Sequence, residues 1–438
     1  MDPGISKRIH QFDFAGSSEQ LSHLLGNFDS DPPSNMSLMR LQIFPYGDPE
    51  LRGLFARFPF SFPKLSHLDL GNFLPDSSSP IFTTSSLTSL KLFLPYRKED
   101  RYTPLQFSQI LQQHPNLQEL ELNHGAIPLP GPSSAPAPFT LPRLVSLRLH
   151  GMEAAISGLI DLIDMSSPLH DVVIRFARDP ESTVPAFAGA VGKILVGYYE
   201  CQGLDYPRKI DHFTISYRSE EPRLVFNAQS GSGPKSNPRS NLELLFDNIY
   251  EHSGEVIVKD TLPLFPLNGV RVFTTNGPPI YGRLQNLHVF RKMIDVSHLR
   301  LNKQDISPAL LALSHNLGAF RAVTKPSQLT HARTAEPDQR VFPKLESLTL
   351  SYLDILFGHE EKLLAVLKGR RDCNIGLKNL VIQSCRVHKV ELRSKLRKLV
   401  KEVKWVNVNM VELDCEDTDD DCQVGRCGCG ELGVRVRW

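Results

Sequence analysis

Aliphatic positions recur along the chain in one short pattern. The segments FPKLSHLDL (residues 62–70), HPNLQELEL (114–122), LPRLVSLRL (141–149) and FPKLESLTL (342–350) share a proline, one further residue and then LxxLxL. Looser copies begin at Leu38 (LMRLQI), Leu87 (LTSLKL), Leu169 (LHDVVI), Ile210 (IDHFTI), Val296 (VSHLRL) and Leu377 (LKNLVI). Alternation with a period of two is the signature of a strand, so the spaced leucines turn to one face and the residues between them to the other. One such strand cannot bury its own leucines, whereas a stack of copies can. Helical spacing is predicted between the copies, at residues 104–113, 153–165, 241–250, 308–317, 361–367 and 391–404. In the last of these, Leu392, Leu396, Leu399, Val400 and Val403 form one apolar stripe.

The first six well-spaced copies start 27, 22, 30, 27 and 25 residues apart, around the ~20–29 of a leucine-rich repeat. The expected fold class is therefore α/β: a leucine-rich-repeat solenoid over residues 38–410, a curved parallel sheet of short strands with helices on its convex side. Its repeats are irregular, and their boundaries between Phe176 and Pro343 stay open at this point. Only the copy at Leu377 continues into LxxLxLxxC, through Leu380, Ile382 and Cys385, which marks Cys385 as a buried, inert thiol. Segments 127–138 and 228–240 are rich in Pro, Gly and Ser and read as surface excursions. Residues 1–37 read as a leader, and 411–438 as an acidic, Cys- and Gly-containing disordered tail.

FPKLESLTL, followed by LLAVLKGRR and then GLKNLVIQSCRVHKVELRSKLRKLVKEVKWVNV, resembles the C-terminal part of the fungal F-box proteins with degenerate leucine-rich repeats. SSPLHDVVIRF and IDHFTISY are similar to other segments of that family. The resemblance implies a solenoid that selects a protein substrate, joined to an F-box that docks on a Skp-type adaptor of a cullin ubiquitin ligase. An F-box opens with Leu-Pro and an acidic residue ahead of short helices, and residues 1–37 carry no such segment. An interaction scaffold with no ubiquitin-ligase role is therefore the alternative.

Charge and candidate chemistry narrow the function further. Lys and Arg number 49 and Asp and Glu 48, a net charge of +1, so no overall field draws the chain to nucleic acid or an anionic membrane. No apolar run approaches the ~18 residues of a spanning helix. Seven cysteines, four of them crowded after residue 414, are no disulfide framework, and the expected setting is intracellular, cytoplasmic or nuclear. Segments 189–193 (GAVGK) and 231–236 (GSGPKS) lack the spacing of a phosphate loop. His359-Glu360 opens like a zinc protease helix, but Leu363 stands where the second histidine is needed. No GxSxG elbow occurs, and the expectation is a non-enzyme with no cofactor. Cys415, Cys422, Cys427 and Cys429 have enough thiolates for a tetrahedral zinc, but they lack a CxxC knuckle. The reading is no metal, with those four as the alternative. Arg393, Lys395, Arg397, Lys398, Lys401 and Lys404 read as the solvated face of a terminal cap.

What remains is the polar side of the strands, expected to be concave. If the leucines point inward, period two turns out Arg40 and Gln42, His67 and Asp69, Ser89 and Lys91, Glu119 and Glu121, and Arg148 and His150. Further along it turns out Asp171 and Arg175, Thr349 and Ser351, and Asn379 and Gln383. A face of mixed sign suits a protein partner held by hydrogen bonds and ion pairs better than a polyanion or a buried metabolite.

Overall fold

The computed structural model describes residues 10–17, 19–21, 23, 37–46, 62–72, 74–94, 101–129, 137–164, 169–177, 186–199, 209–218, 223–230, 240–247, 251–277, 290–302, 306–314, 340–355, 358–387 and 391–410. The fold is mixed α/β, with short strands that pair mostly in parallel. The chain divides into two units, Met1–Leu267 and Asn268–Trp438.

In the first unit the strands are β1 (Gln11–Ser17), β2 (Arg40–Tyr46), β3 (His67–Gly71), β4 (Ser89–Leu94), β5 (Glu119–His124) and β6 (Phe139–Thr140). They continue with β7 (Ser146–Met152), β8 (Ile163–Asp164), β9 (Asp171–Ala177), β10 (His212–Arg218), β11 (Arg223–Ser230) and β12 (Ser240–Asp247). Ten of these form one sheet in the order β1-β2-β3-β4-β5-β7-β9-β12-β11-β10. Pairing is parallel from β1 to β9 and on to β12, then antiparallel through β11 and β10. The second unit holds β13 (Val272–Asn276), β14 (His298–Asn302), β15 (Ser347–Ser351), β16 (Asp354–Ile355), β17 (Asn379–Gln383), β18 (Arg386–Val387), β19 (Glu402–Val406) and β20 (Asn409–Met410). There β13-β14-β15-β17-β19 pair in parallel and in register, and β16-β18-β20 form a second, short parallel ribbon.

The recurring motif has a backbone reason at each of its positions. The leucine after the proline donates its N–H to the residue before the proline: Leu65 to Phe62 (2.9 Å), Leu117 to His114 (3.0 Å), Leu144 to Leu141 (3.1 Å) and Leu345 to Phe342 (3.1 Å). These are four-residue turns in which proline, with its fixed φ and missing N–H, holds the second position. The residue ahead of each proline is buried, and His114 fills that slot with its Nδ1 2.9 Å from the Thr84 carbonyl. The chain then enters the strand by placing two successive N–H groups on one carbonyl of the preceding copy. Thr88 and Ser89 share Ser66 O (2.8 and 2.9 Å), Val145 and Ser146 share Gln118 O (2.8 and 2.9 Å), and Lys378 and Asn379 share Glu346 O (2.8 and 3.0 Å).

Strand exits are equally regular. Five residues after the first strand residue, the backbone turns left-handed at Asn72, His124, Gly277, Tyr352, Ser384 and Asn407, with φ of 62, 49, 90, 56, 50 and 49°. Among these only Gly277 escapes the side-chain clash of that conformation. The turn persists because its N–H reaches the next strand: Asn72 to Phe93 O (2.7 Å), Gly277 to Asn302 O (3.0 Å), Tyr352 to Gln383 O (3.0 Å) and Ser384 to Val406 O (2.8 Å).

Burial follows the alternation. Leu68, Leu70, Leu90, Leu92, Leu120, Leu122, Leu147, Leu149, Val172 and Ile174 in the first unit, and Leu299, Leu301, Leu348, Leu350, Leu380 and Ile382 in the second, are all buried. Helices Pro104–Gln112 and Glu153–Leu162 each bury one apolar face; the first begins at a capping box between Thr103 and Gln106. Cys385 is buried as expected, its thiol 3.3 Å from Leu350 O and its pKa pushed up by burial.

Three expected helices differ, the one over 153–165 by ending at Leu162, where Ile163 and Asp164 form β8. Residues 241–250 were expected to be helical, yet residues 240–247 are strand β12, with Leu242, Leu244 and Phe246 buried between its neighbours β9 and β11. LELLF satisfies both periods over so short a run, and the two flanking strands decide it. The helix expected over 391–404 ends at Leu399, and Val403 and Trp405 alternate along β19 instead. Leu392 and Leu396 are buried and the flanking basic residues exposed, but Lys401 and Lys404 are not on that helix. The other helices lie near their expected places, at Ser307–Ser314 and, extended at both ends, His359–Asp372. Strand β1 falls within the segment read as a leader.

Candidate functional site

The side of the first unit's sheet opposite the leucines carries three register rows of side chains. The first runs Gln11, Arg40, His67, Ser89, Glu119, Ser146, Asp171, Asn241, and the second Asp13, Gln42, Asp69, Lys91, Glu121, Arg148, Val173, Glu243. The third is Ala15, Phe44, Gly71, Phe93, Asn123, His150, Arg175, Leu245. Phe44 lies across Gly71, where an added Cβ would run into the Phe44 ring, and its ring is 5.8 Å from Phe93.

Of the residues expected to form a binding face, those of the first unit lie on this side of its sheet, and several meet across strands. Lys91 Nζ is 3.4 Å from Glu121, Ser89 donates to Glu119 at 3.0 Å, and Arg148 reaches Asp171 through Nε (3.1 Å) and Nη2 (2.7 Å). His67 Nδ1 sits 2.8 Å from the Ser66 hydroxyl. Arg40 and Gln42 lie on β2, next to His67 and Asp69 in register. In the second unit Thr349 pairs in register with Val381, while Asn379 and Gln383 oppose Ser347 and Ser351. That face is mostly uncharged, with Asn302 Nδ2 donating to Asn276 at 2.6 Å.

Asp69 stands out electrostatically. Its Oδ1 is buried with no hydrogen-bond partner among the described residues. Burial, helped by Glu121 and Asp13 against Lys91 and Arg40, pushes its pKa up to about 6. The folded state then binds the proton more tightly than the unfolded chain, so stability falls as pH rises from about 4 to about 6. Asp69→Asn is expected to stabilise the protein at pH 7 by about 1 kcal/mol, less than the full linkage because the carboxyl is partly solvated. Urea unfolding at pH 7 and pH 4 checks this: the gain is to disappear at pH 4.

A second cluster gathers around Asp247, on β12. Arg175 (β9) donates to it through Nε, Arg223 (β11) does so through Nε at 2.7 Å, and His150 Nε2 (β7) lies 3.9 Å away. The ring of His124 (β5) stands 4.0 Å from that of His150. Burial of Asp247 is outweighed by the two guanidinium bonds, which hold its carboxyl below the usual range. Burial first, then His124 and Arg175, drives His150 down to about 4, and His124 is lowered by burial and by Arg175. Both imidazoles are neutral at pH 7.

His150 and Arg175 were expected on this face, whereas Asp247, Arg223 and His124 were missed. Alternation in RLVFNAQS and SNLELLFD was the available signal, since Leu224, Phe226, Leu242, Leu244 and Phe246 are buried and the residues between them face the other way. Among the described residues no group of three His, Cys, Asp or Glu is poised to hold a metal, and no helix is long and apolar enough to cross a membrane. The four tail cysteines lie outside the described residues.

The fold and this face define a mixed α/β protein with an in-register, charged sheet surface. No family model matches the chain, and no curated protein sequence matches it at a significant level.

Proposed function

We propose that the chain is a leucine-rich-repeat recognition protein, with binding of a protein partner as its intrinsic activity and the polar sheet face as the binding surface. The observation that supports this most is the register itself. Parallel in-register strands set side chains of both signs in rows at ~4.8 Å intervals, backed by a leucine layer that keeps them rigid. Such a surface matches an extended partner through several weak polar contacts, and electrostatic complementarity then sets its specificity. The resemblance of roughly residues 38–409 to fungal F-box proteins with degenerate leucine-rich repeats supports a role as the substrate-binding part of a cullin ubiquitin ligase. The second reading is a scaffold with no ligase role, since the polar face supports partner binding without any adaptor contact.

The test is affinity capture of the full chain from its native cell, beside a Glu121→Lys/Arg148→Glu variant that unfolds at the same temperature. Proteins recovered with the natural chain and lost with the variant are expected. Equal recovery by both would overturn the role of this face. Recovery of a Skp adaptor and a cullin supports the ligase reading, and their absence among specific partners supports the scaffold.

A further inference from the structure

We propose that Asp69 on β3, with the rings of Phe44 and Phe93 beside it, is the subsite that seats a single arginine side chain from an extended segment of the protein partner. The inference rests on the reading of the polar face as a recognition surface and gives it a position and a chemistry.

Three features of the sheet meet here. Phe93 (β4) stands in register with Gly71 (β3), and from the other side the ring of Phe44 (β2) folds over Gly71, where the missing Cβ leaves room for it. The two rings are 5.8 Å apart and tilted by 46°, and both residues are only half-buried, so ring surface stays open on the polar side. Asp69 precedes Gly71 by two residues on the same strand, which puts it on the same side of the sheet, ~7 Å along β3. Its Oδ1 is buried with no hydrogen-bond partner among the described residues. Lys91, its register neighbour, turns instead to Glu121 on β5, at 3.4 Å. Burying a carboxyl oxygen without a donor is costly, and a native fold that keeps one calls for a reason.

Arginine is the side chain that answers all three. Its guanidinium brings the donors that the carboxyl lacks, in a planar fork that matches a carboxylate, and its flat face stacks on aromatic rings. An aliphatic or aromatic anchor would cover the rings and leave Asp69 buried deeper with no donor, which selects against it. The charged groups around Asp69 are of both signs: Lys91 (β4) and Arg40 (β2) act on it as cations and Glu121 (β5) and Asp13 (β1) as anions, with His67 on its own strand. The site is coupled to pH. In the free protein burial favours the neutral carboxyl up to about pH 6, whereas an arriving guanidinium favours the ionised form. Binding therefore expels a proton at the acid end and weakens as pH falls from 7 to 5.

The probe is a phage-displayed library of random linear dodecapeptides selected on the full chain. Enrichment of arginine is expected with the natural chain and not with Asp69→Asn, a variant that keeps the shape and is expected to be the more stable of the two at pH 7. For the best peptide, its own Arg→Gln change is expected to weaken binding to the unaltered protein about tenfold, a comparison that needs no folded variant. The same change is to have little effect on binding to Asp69→Asn, and Phe44→Leu, which still covers Gly71, is to weaken the natural peptide several-fold. Binding to the natural chain is to weaken several-fold between pH 7 and pH 5, and binding to Asp69→Asn is to change less. Asp164→Asn, which removes an exposed carboxylate on the separate β6–β8 ribbon, controls for charge alone. Selected peptides with no arginine enrichment, or an arginine peptide weakened as much by Asp164→Asn as by Asp69→Asn, overturn the subsite and leave protein recognition standing. No peptide selected by either chain overturns both.

Discussion

Replacing Arg370 by alanine is expected to destabilise the second unit by about 3 kcal/mol. Arg370 is 1% exposed, on helix His359–Asp372, and it has no carboxylate partner among the described residues. Its Nη2 donates to Phe342 O at 2.9 Å and its Nη1 to Val341 O at 3.4 Å. Phe342 O is also the acceptor that closes the proline turn onto Leu345, and Phe342 itself is held at a φ of 48°. One side chain thus locks the turn that launches β15. Burial, together with Arg340, drives the guanidinium down to about 10, so it stays charged at pH 7 at a desolvation cost that its carbonyl bonds offset. Alanine would leave a cavity and weaken the satisfaction of two buried carbonyls. Arg370→Met, which fills most of the volume and carries no charge to desolvate, is expected to cost about half as much. Urea unfolding of the two variants measures both, and equal stability of Arg370→Ala and the natural protein would show that the turn holds without it.

Asp247→Ala is expected to cost about 2 kcal/mol in the first unit at pH 7. The carboxylate ties three adjacent strands, β9, β12 and β11, at the place where parallel pairing gives way to antiparallel. Removing it leaves two guanidiniums facing each other, and their partial exposure keeps the cost below that of a fully buried pair. The pH dependence has a definite sign. The pKa of Asp247 is lowered on folding, so its stabilisation is present above the ordinary carboxylate range and is lost as pH falls through the lowered value. His150 acts in the same direction at higher pH: its fall to about 4 makes the unfolded chain the better proton binder between about 4 and 6.5, so stability drops as pH falls through that window. A thermal-unfolding series from pH 7 to pH 3, made in an Asp69→Asn background to remove the opposite effect of Asp69 over the same window, is to show the His150 loss first and the Asp247→Ala difference narrowing only at the acid end.

Much of this architecture was legible from residues alone. The Pro-x-Leu turn, the strand that follows it and the inward leucines are local, since proline chemistry and period-two alternation act over fewer than ten residues. The candidate face was legible to the same extent: once Leu147 and Leu149 point inward, Arg148 must point the other way. Residues 240–247 were not legible as a strand, because an apolar run of that length fits a helix and a strand equally and only pairing with β9 and β11 settles it. Arg370 gave no signal either. An arginine in a basic run near a helix end reads as solvated, and only the approach of the Val341–Phe342 backbone makes it buried.

The left-handed strand exits mark the same boundary. At Asn72, Tyr352 and Ser384 the side chains share no chemistry that would announce a positive φ, and the conformation is imposed by an N–H that reaches the neighbouring strand. For the strands that carry the recurring motif, the sequence by itself determined which side is apolar, where the proline turns fall and which residues are offered on the polar side, because those follow from short-range sterics and periodicity. Tertiary structure alone decided which of the offered charges meet. Asp247 lies 72 residues from Arg175 and 24 from Arg223, and a carboxylate becomes a shared anchor for two guanidiniums only when the register of three strands brings them within hydrogen-bond reach.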